Sequence, residues 1–255
     1  MPILQGTSGV QSVGRALDVL EAMATAGGFI SVTELADKAE LPVPTIHRLI
    51  RTLVGRGYVR QLPSRHYALG PRLIRLGDCA TQLIGAWSHP HLSELVARTG
   101  ETANMAVLDG DMAVYVAQVP SPHPMRMFTE VGGRVFLHCT GVGKALLLQL
   151  PDASIRALLA RCTMPSYTEN SVRDTDALVA DLQRSRQRGY AIDEGEQELG
   201  VRCFSVPVPG APTPTAISIS GPATRVTIES ANEVVPHLQR VASMLSAEFR
   251  REAIP

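Results

Sequence analysis

Residues 41–69 read LPVPTIHRLIRTLVGRGYVRQLPSRHYAL, and this stretch decides the fold of the N-terminal part of the chain. Pro44 is well placed to open a helix, because the first position of a helix does not need a backbone N–H. At helical spacing the apolar side chains fall on one face: Ile46, Leu49, Ile50, Leu53 and Val54. The opposite face carries hydroxyl, imidazole and guanidinium groups: Thr45, His47, Arg48, Arg51 and Thr52. Such a face suits the phosphates and base edges of a DNA groove.

The elements around this helix predict a winged helix-turn-helix. Upstream, apolar residues recur at helical spacing over 13–23, and Ser31 with Glu34 forms a capping-box pattern that opens a second helix. Downstream, residues 58–61 and 65–69 are strand-like and are joined by a turn at 62–64. In this arrangement the third helix enters the major groove. Arg60 and Arg65 flank the wing tip, where they would reach phosphates or the minor groove.

The charge of the chain is divided unevenly along its length. The whole chain has 24 basic and 24 acidic side chains, which excludes a uniformly basic coat for nucleic acid. Residues 1–75 nevertheless hold nine basic and five acidic side chains, so the remainder is acidic. Between residues 41 and 71 there are five arginines and no acid. This asymmetry indicates a small basic module attached to a larger acidic one.

The larger module is predicted to be an α+β domain with a mainly antiparallel sheet. The chain has 255 residues, which allows one large domain or two small ones. Beyond Pro90, strand-like and helical segments alternate, and Asp109-Gly110 is a strong two-residue hairpin signal. A long helix is expected over 229–251. Before it, segments 201–208 and 215–220 have the pattern of core strands.

Cysteine usage and hydropathy indicate a cytoplasmic protein. The four cysteines, at 79, 139, 162 and 203, lack the spacing of a zinc ribbon. The first nine residues have neither a basic region nor an apolar region, so no signal peptide is expected. No apolar run reaches the length needed to span a bilayer. We therefore expect reduced thiols and no membrane partner.

The residues fit three other chemistries less well than DNA binding. Gly141-Val142-Gly143-Lys144 lacks the first glycine and the hydroxyl residue of a phosphate-binding P-loop. A thiol enzyme using Cys139 with His138 is disfavoured, because adjacent strand residues point to opposite faces. A metal sensor remains the alternative if side chains from distant segments converge: His89, His91, His123, His138 and Cys203. No catalytic residue, cofactor or resident metal is expected.

The N-terminal residues resemble those of the IclR-type transcriptional regulators. Residues 12–20 (SVGRALDVL) are similar to the opening of that family, and 45–49 (TIHRL) to its recognition helix. Residues 57–59 (GYV) and 67–70 (YALG) resemble the exit of that helix and the end of the wing. Pro44 stands where most members have a small hydroxyl residue.

The resemblance continues through the C-terminal part. Residues 131–134 (VGGR), 143–146 (GKAL), 189–193 (GYAID) and 216–222 (AISISGP) are similar to successive family motifs. It implies three regions: a winged helix-turn-helix over 1–71, a linker helix over 72–90, and a GAF-like effector-binding domain over 91–255. Two departures, Phe136 for the usual proline and Cys139 for a small non-thiol residue, fall at the expected pocket rim.

The resemblance also implies an effector pocket and its residues. They are Gly141, Val142, Asp193, Cys203, Ser218 and Ser220. Strand alternation places Ser218 with Ser220, and Cys203 with Ser205, each pair on one face of its strand. Loop 140–143 ahead of a helix near Lys144 would offer backbone N–H groups to a carboxylate, with Arg126 and Arg134 as alternative anion partners.

The partners implied are operator DNA, a small-molecule effector and further copies of the chain. A 2-oxo or hydroxy acid is the first expectation for the effector, because the segment 218–222 (SISGP) is similar to the allantoin/glyoxylate-responsive subgroup; an aromatic acid is the second. A helical stripe through residues 73–84 favours a linker helix that pairs with its copy. A dimer, or a tetramer of two dimers, would match the half-sites of a pseudo-palindromic operator. Repressor and activator roles remain equally open.

Overall fold

The computed structural model describes residues 10–84, 86–127 and 129–252, although the side chains at 82–84, 86 and 252 lie outside this description. The chain divides into two compact units, one ending at Ala80 and the other starting at Thr81. The helix expected to link the domains runs over Arg72–Ile84. Gly85, in the expected linker, and residues 253–255 lie outside the described residues.

The first unit is a winged helix-turn-helix, as predicted. Its helices are α1 (Gln11–Thr25), α2 (Val32–Lys38), α3 (Val43–Gly55) and the start of α4 (Arg72–Ile84). Its strands are β1 (Phe29–Ile30), β2 (Val59–Gln61) and β3 (Tyr67–Leu69). The capping box is confirmed: Glu34 N donates to Ser31 Oγ (3.2 Å), and Ser31 N donates to Glu34 Oε2 (3.1 Å).

Three local predictions for this unit need correction. The wing has a third strand, because β1 pairs antiparallel with β3 and places Ile30 opposite Tyr67. Helix α3 begins at Val43, so Pro44 takes the second position rather than the first. Arg65 lies in the wing turn at φ 64° rather than in a strand, since Leu62 and His66 close the hairpin around it.

The core of the first unit joins the three helices to the sheet. Its fully buried members include Val19, Met23, Leu35, Ile46 and Ile50. Val54 was predicted on the buried face of α3, and this is wrong: it lies in the last turn, lines a surface groove and is 38% exposed.

The second unit is built on a six-stranded antiparallel sheet, which confirms the predicted α+β domain with a mainly antiparallel sheet. The sheet order is β6-β5-β4-β9-β8-β7. The strands are β4 (Thr102–Asp109), β5 (Met112–Val119), β6 (Arg134–Phe136), β7 (Ala191–Glu194), β8 (Val201–Val208) and β9 (Thr215–Pro222). The helices are α5 (His89–Thr99), α6 (Gly141–Leu147), α7 (Asp152–Leu159), α8 (Thr175–Arg188) and α9 (Ala231–Glu252).

The sheet separates two apolar layers. One face packs on α5 and α9 through residues such as Leu95, Phe204 and Leu238. The other face packs on α6, α7 and α8. The hairpin predicted at Asp109-Gly110 joins β4 to β5, with Asp109 paired with Met112. A register shift between Met105 and Ala106 then leaves Val116 without an opposite residue on β4, which is a β-bulge.

Helix α6 begins earlier than the sequence predicts. We expected its start near Lys144, but it begins at Gly141 because Thr140 Oγ1 accepts a hydrogen bond from Gly143 N (3.1 Å). All seven residues of α6 are buried. The predicted loop over 140–143 is therefore wrong, because residues 141–143 are helical. Gly143 N is capped by Thr140, whereas the N–H groups of the first two residues of a helix have no partner within the helix.

Candidate nucleic-acid interface and ligand cavity

The exposed side of α3 carries the cationic face predicted from the sequence. His47, Arg48 and Arg51 are exposed, and Thr45 is half-buried. Thr52 is exposed, and its hydroxyl donates to Arg48 O within the helix (3.1 Å). This face is cationic because the apolar side of α3 packs into the core and no acidic residue occurs on the opposite, exposed side of the helix.

A groove of about 540 Å³ lies between α3 and the wing. The residues that line it are Pro44, His47, Arg48, Ile50, Arg51, Val54, Gln61 and Tyr67. Three of them carry cationic or imidazole groups and none carries a carboxylate. Arg60 and Arg65 are exposed on the wing but do not line the groove. This surface can accept a phosphate backbone without an acidic group repelling it.

A cavity of about 460 Å³ opens in the second unit, on the α6 side of the sheet. Its lining comprises Tyr115, Met127, Thr129, Glu130, Gly133, Val135, Thr140, Gly141, Asp193, Gln197, Glu198, Val201, Cys203 and Ser220. Four predicted effector residues are among them: Gly141, Asp193, Cys203 and Ser220. The sheet register explains this, because Cys203 lies opposite Asp193 on one side and opposite Ser220 on the other.

Val142 and Ser218 do not line the cavity. Val142 is 1% exposed and packs in the core beneath it, one residue further along α6 than Gly141. Ser218 lies one row along the sheet and accepts a hydrogen bond from Asn104 Nδ2 (3.4 Å). Asn104 Oδ1 in turn accepts from Thr129 Oγ1 (2.8 Å), a cavity residue. Ser218 is therefore connected to the cavity residue Thr129 through Asn104, and it also interacts with the Cys203 thiol.

Gly141 is required by the close approach of α6 to β8. A Cβ atom at this position would lie 2.6 Å from Cys203 Sγ and 3.2 Å from Cys203 Cβ. No ordinary Cβ contact is that short, so the thiol and the glycine fit each other at the cavity floor.

A buried charge network supports the cavity from beneath. Lys144 is 1% exposed, and its Nζ donates to Glu196 Oε1 (2.6 Å) and Asp181 Oδ2 (3.1 Å). Glu196 Oε2 has no hydrogen-bond partner within the described part of the chain. Burial raises the pKa of Glu196, although the Lys144 ammonium opposes this.

Asp193 is the buried carboxyl group that faces the cavity. It is 4% exposed, and its Oδ1 accepts a hydrogen bond from Glu196 N (2.7 Å). Burial raises the pKa of Asp193 to about 7, and the nearby Glu196 charge adds to this shift. The hydrogen bond from Glu196 N and the Lys144 charge act in the opposite direction without cancelling it.

Several cavity residues were not predicted from the sequence, and Tyr115 and Gln197 matter most among them. The Tyr115 hydroxyl makes no hydrogen bond within the residues that the structure describes, although the side chain is only 8% exposed. Gln197 Oε1 accepts from Cys139 Sγ (3.2 Å), which leaves its amide N–H groups for other partners. Tyr115 is surrounded by apolar residues in the sequence of β5, so the strand pattern did not single it out.

No basic residue appears among the described residues that line the cavity. Arg134 instead bonds Asp109 (2.5 Å), and Arg126 is exposed and donates to His123 O (3.5 Å). Neither of these alternative anion partners reaches the cavity. Phe136 also lies outside the lining. Its ring contacts the His138 ring edge to face and the Tyr167 ring at a tilted angle.

The thiols in this region are protonated at neutral pH. Burial raises the pKa of Cys139 and of Cys203 to about 12, and the Asp193 charge adds to both shifts. His138 is not oriented toward Cys139 as a base, since its Nε2 bonds Pro165 O (3.0 Å) and burial lowers its pKa. A thiolate nucleophile at Cys139 is therefore disfavoured.

Two histidines of the metal alternative, His91 and His138, lie in separate surroundings. His91 Nε2 bonds Glu248 Oε1 (2.8 Å), away from the Pro165 carbonyl that holds His138. Over residues 10–84, 86–127 and 129–252, no three His, Cys, Asp or Glu groups come close enough to hold a metal ion. Among the same residues, no helix has both the length and the apolar character of a membrane span.

Two family models match this chain. "IclR helix-turn-helix domain" matches residues 12–63, and "Bacterial transcriptional regulator IclR C-terminal" matches residues 80–247. The Escherichia coli K12 protein "Transcriptional repressor IclR" is 39% identical over 238 residues, which is 89% of this chain and 85% of that protein.

Solved structures show the same architecture. An IclR transcriptional regulator from Alicyclobacillus acidocaldarius superposes with a TM-score of 0.82 at 28% identity, over 94% of this chain and 99% of that one. An IclR homologue from Microbacterium hydrocarbonoxydans, solved with 4-hydroxybenzoate, gives a TM-score of 0.79 at 21% identity, over 94% and 99% of the two chains. This second likeness concerns the fold alone.

Proposed function

Because the chain belongs to the IclR family of bacterial transcriptional regulators, we propose that it binds a pseudo-palindromic operator through α3 and the wing. The observation that carries this proposal is the exposed face of His47, Arg48 and Arg51, which no carboxylate interrupts. We assign Thr45, Thr52, Arg60 and Arg65 to the same interface. Chromosomal DNA lies in the bacterial cytoplasm, where we propose that the chain acts.

The DNA interface is tested by a paired arginine substitution. An Arg48→Ala/Arg51→Ala variant should bind operator fragments more weakly, and its log affinity should depend less steeply on log salt, by about 0.9 per lost phosphate contact. Fluorescence anisotropy at several salt concentrations measures both quantities. The matched control, Arg161→Ala/Arg173→Ala, removes two exposed arginines of the second unit and should leave them unchanged. Equal loss in the control would contradict the assignment of α3.

We propose a small carboxylic acid as the effector of the cavity in the second unit. A 2-oxo or hydroxy acid is our first choice and an aromatic acid our second. The cavity supports this choice with hydrogen-bonding groups at its floor, namely Tyr115, Cys203, Ser220 and the amide of Gln197.

Thermal unfolding against a panel of small acids tests the effector proposal. A ligand that binds only the native chain stabilises it by about 2.7 kcal/mol at a hundredfold excess over Kd. The shift should disappear in a Ser218→Ala/Ser220→Ala variant and persist in Ser243→Ala, whose hydroxyl bonds Gln239 O on α9 (2.9 Å). If all three proteins respond equally, the ligand binds elsewhere.

We propose that the chain acts as a dimer or as a tetramer of two dimers, with domains bounded at 1–71, 72–90 and 91–255. Support comes from exposed apolar side chains on the first unit: Val13 and Leu17 on α1, and Ile74 and Leu76 on α4, are all more than half exposed. In this proposal the effector changes DNA affinity because it binds the DNA-competent and incompetent states differently. Sedimentation of the purified chain with and without operator DNA tests the assembly.

A further inference from the structure

The cavity offers an anionic ligand three carboxyl groups and no cation. Glu130, Asp193 and Glu198 are its acidic members, and no Lys, Arg or His occurs among the described residues that line it. Glu130 and Glu198 are exposed, whereas Asp193 is buried. A carboxylate that enters this cavity therefore meets a negative site, which opposes binding of the anion by itself.

The nearest buried cation is already neutralised. Lys144 forms ion pairs with both Glu196 (2.6 Å) and Asp181 (3.1 Å). Its single positive charge is therefore already shared by two carboxylates, and Asp193 would be a third. Arg184 adds a contact to Asp181 (3.2 Å), but its side chain is 64% exposed. The network has no spare positive charge with which to hold a second buried anion beside Asp193.

We infer that a carboxylic acid binds in this cavity together with one proton, which its carboxyl group shares with Asp193. This inference rests on the proposed function, because it takes an acid as the effector. Two carboxyl groups that share a water-poor site bind one proton between them, since both cannot ionise at close range. The complex then carries one negative charge where two separate carboxylates would carry two.

The geometry provides a place for this shared proton. Asp193 Oδ1 accepts from Glu196 N (2.7 Å), and the Gln197 backbone N–H also interacts with this carboxyl group. A carboxyl group has about four lone-pair sites, so Asp193 keeps a site at which it can share a proton with the ligand. The Tyr115 hydroxyl, which makes no bond to any described residue, lines the same cavity and can donate to the other ligand oxygen. At neutral pH the acid arrives as its anion and the proton comes from water or buffer, so only O–H bonds change.

Asp193 is the cavity-floor group that titrates near neutral pH. The charged and titratable groups around it come from five segments: Glu196 after β7, Lys144 on α6, Cys203 on β8, Cys139 before α6 and Tyr115 on β5. Burial raises the pKa of both thiols and of the Tyr115 phenol, so these three stay neutral. The pKa of Asp193 is about 7, so Asp193 is the group whose protonation a bound carboxylate can change near neutral pH.

Calorimetric titration of the full chain at pH 6 and pH 8 tests the inference, with glyoxylate and 4-hydroxybenzoate as probes. Both probes are ionised at both pH values, so a change in affinity reports on the protein. We expect binding about tenfold weaker at pH 8 than at pH 6, with close to one proton taken up at pH 8 and few at pH 6. Repeating each titration in buffers of different ionisation enthalpy gives the number of protons taken up on binding.

Two variants separate Asp193 from the other acids. In Asp193→Asn the ratio of affinities at the two pH values should fall from about ten to about one. In Glu169→Gln, which removes an exposed carboxyl group away from the cavity, the ratio should stay near ten. Equal affinity at both pH values without proton uptake overturns this inference and leaves the acid effector standing. If neither acid binds at either pH, the acid effector itself fails and the inference falls with it.

Discussion

The Lys144 ammonium lies 2.6 Å from Glu196 Oε1, and both side chains are buried. This contact joins α6, whose first residue is Gly141, to the turn after β7, which follows Asp193. Two residues of the cavity wall are thus positioned by an ion pair that does not itself line the cavity.

Replacing Lys144 by Met should destabilise the second unit by about 3–5 kcal/mol, because Glu196 and Asp181 would remain buried without their cation. Urea unfolding followed by circular dichroism measures the free energy of unfolding. The control is Arg156→Met, which removes a surface ion pair with Asp176 whose side chains are 50% and 83% exposed. That pair should contribute less than about 1 kcal/mol. Equal losses in the two variants would show that the buried network has no special role.

A methyl group at position 141 should be poorly tolerated. The added Cβ of Gly141→Ala would lie 2.6 Å from Cys203 Sγ, and such overpacking costs about 1–3 kcal/mol. Cys203→Ala removes that sulfur, so the double variant should recover part of the loss in a double-mutant cycle. Gly14→Ala in α1 is the control, because its Cβ would meet no described atom within 4 Å and alanine favours helices. Additive costs at 141 and 203 would contradict the contact.

The sequence predicted local features of the fold well, because their signals lie within a few residues of one another. The Ser31–Glu34 capping box and the Asp109-Gly110 hairpin are examples. Residues 29–30 were predicted as a short extended segment, but their pairing with β3 was not, because two residues carry little pattern and β3 lies nearly forty residues later in the chain. The start of α6 was misplaced because glycines weaken a helical pattern, whereas the Thr140 cap decides it.

The cavity was predicted in part for the same reason. Strand alternation placed Ser218 with Ser220 and Cys203 with Ser205, and the observed register then aligned Cys203 with Ser220 and with Asp193. It could not show that Ser218 bonds Asn104 and lies outside the cavity lining, because that depends on side chains from β4 and the segment after β5. Gln197 was missed because it lies in an irregular turn, where no periodicity exists to indicate a direction.

The stability of the second unit should fall as the pH rises through the titration of Asp193. Its pKa in the native chain, about 7, is above its ordinary value of 3.8, so the native state keeps a proton that the unfolded chain has lost. Between these two pKa values, the free energy of unfolding falls by about 1.4 kcal/mol for each pH unit. Above the native pKa it no longer depends on Asp193, because the group is then ionised in both states.

Asp193→Asn isolates this contribution, because asparagine does not titrate. The stability of the variant minus that of the wild type should increase by on the order of 4 kcal/mol between pH 4 and pH 8. Urea unfolding at several pH values measures the difference, with Glu169→Gln as an exposed carboxyl control. A difference that stays constant with pH would mean that Asp193 is ionised in the native chain throughout this range.

Tyr115→Phe should separate ligand binding from stability. The Tyr115 hydroxyl lines the cavity and bonds no described residue, so its removal leaves no protein group unpaired and should change stability by less than about 1 kcal/mol. An acid that accepts a hydrogen bond from this hydroxyl should bind roughly 2- to 10-fold more weakly to the variant. Calorimetry with glyoxylate and 4-hydroxybenzoate measures the affinity, and thermal unfolding measures the stability. Tyr167→Phe is the matched control, because Tyr167 is 50% exposed and lies outside the cavity lining. Unchanged affinity in Tyr115→Phe, or an equal loss in Tyr167→Phe, would remove Tyr115 from the binding site.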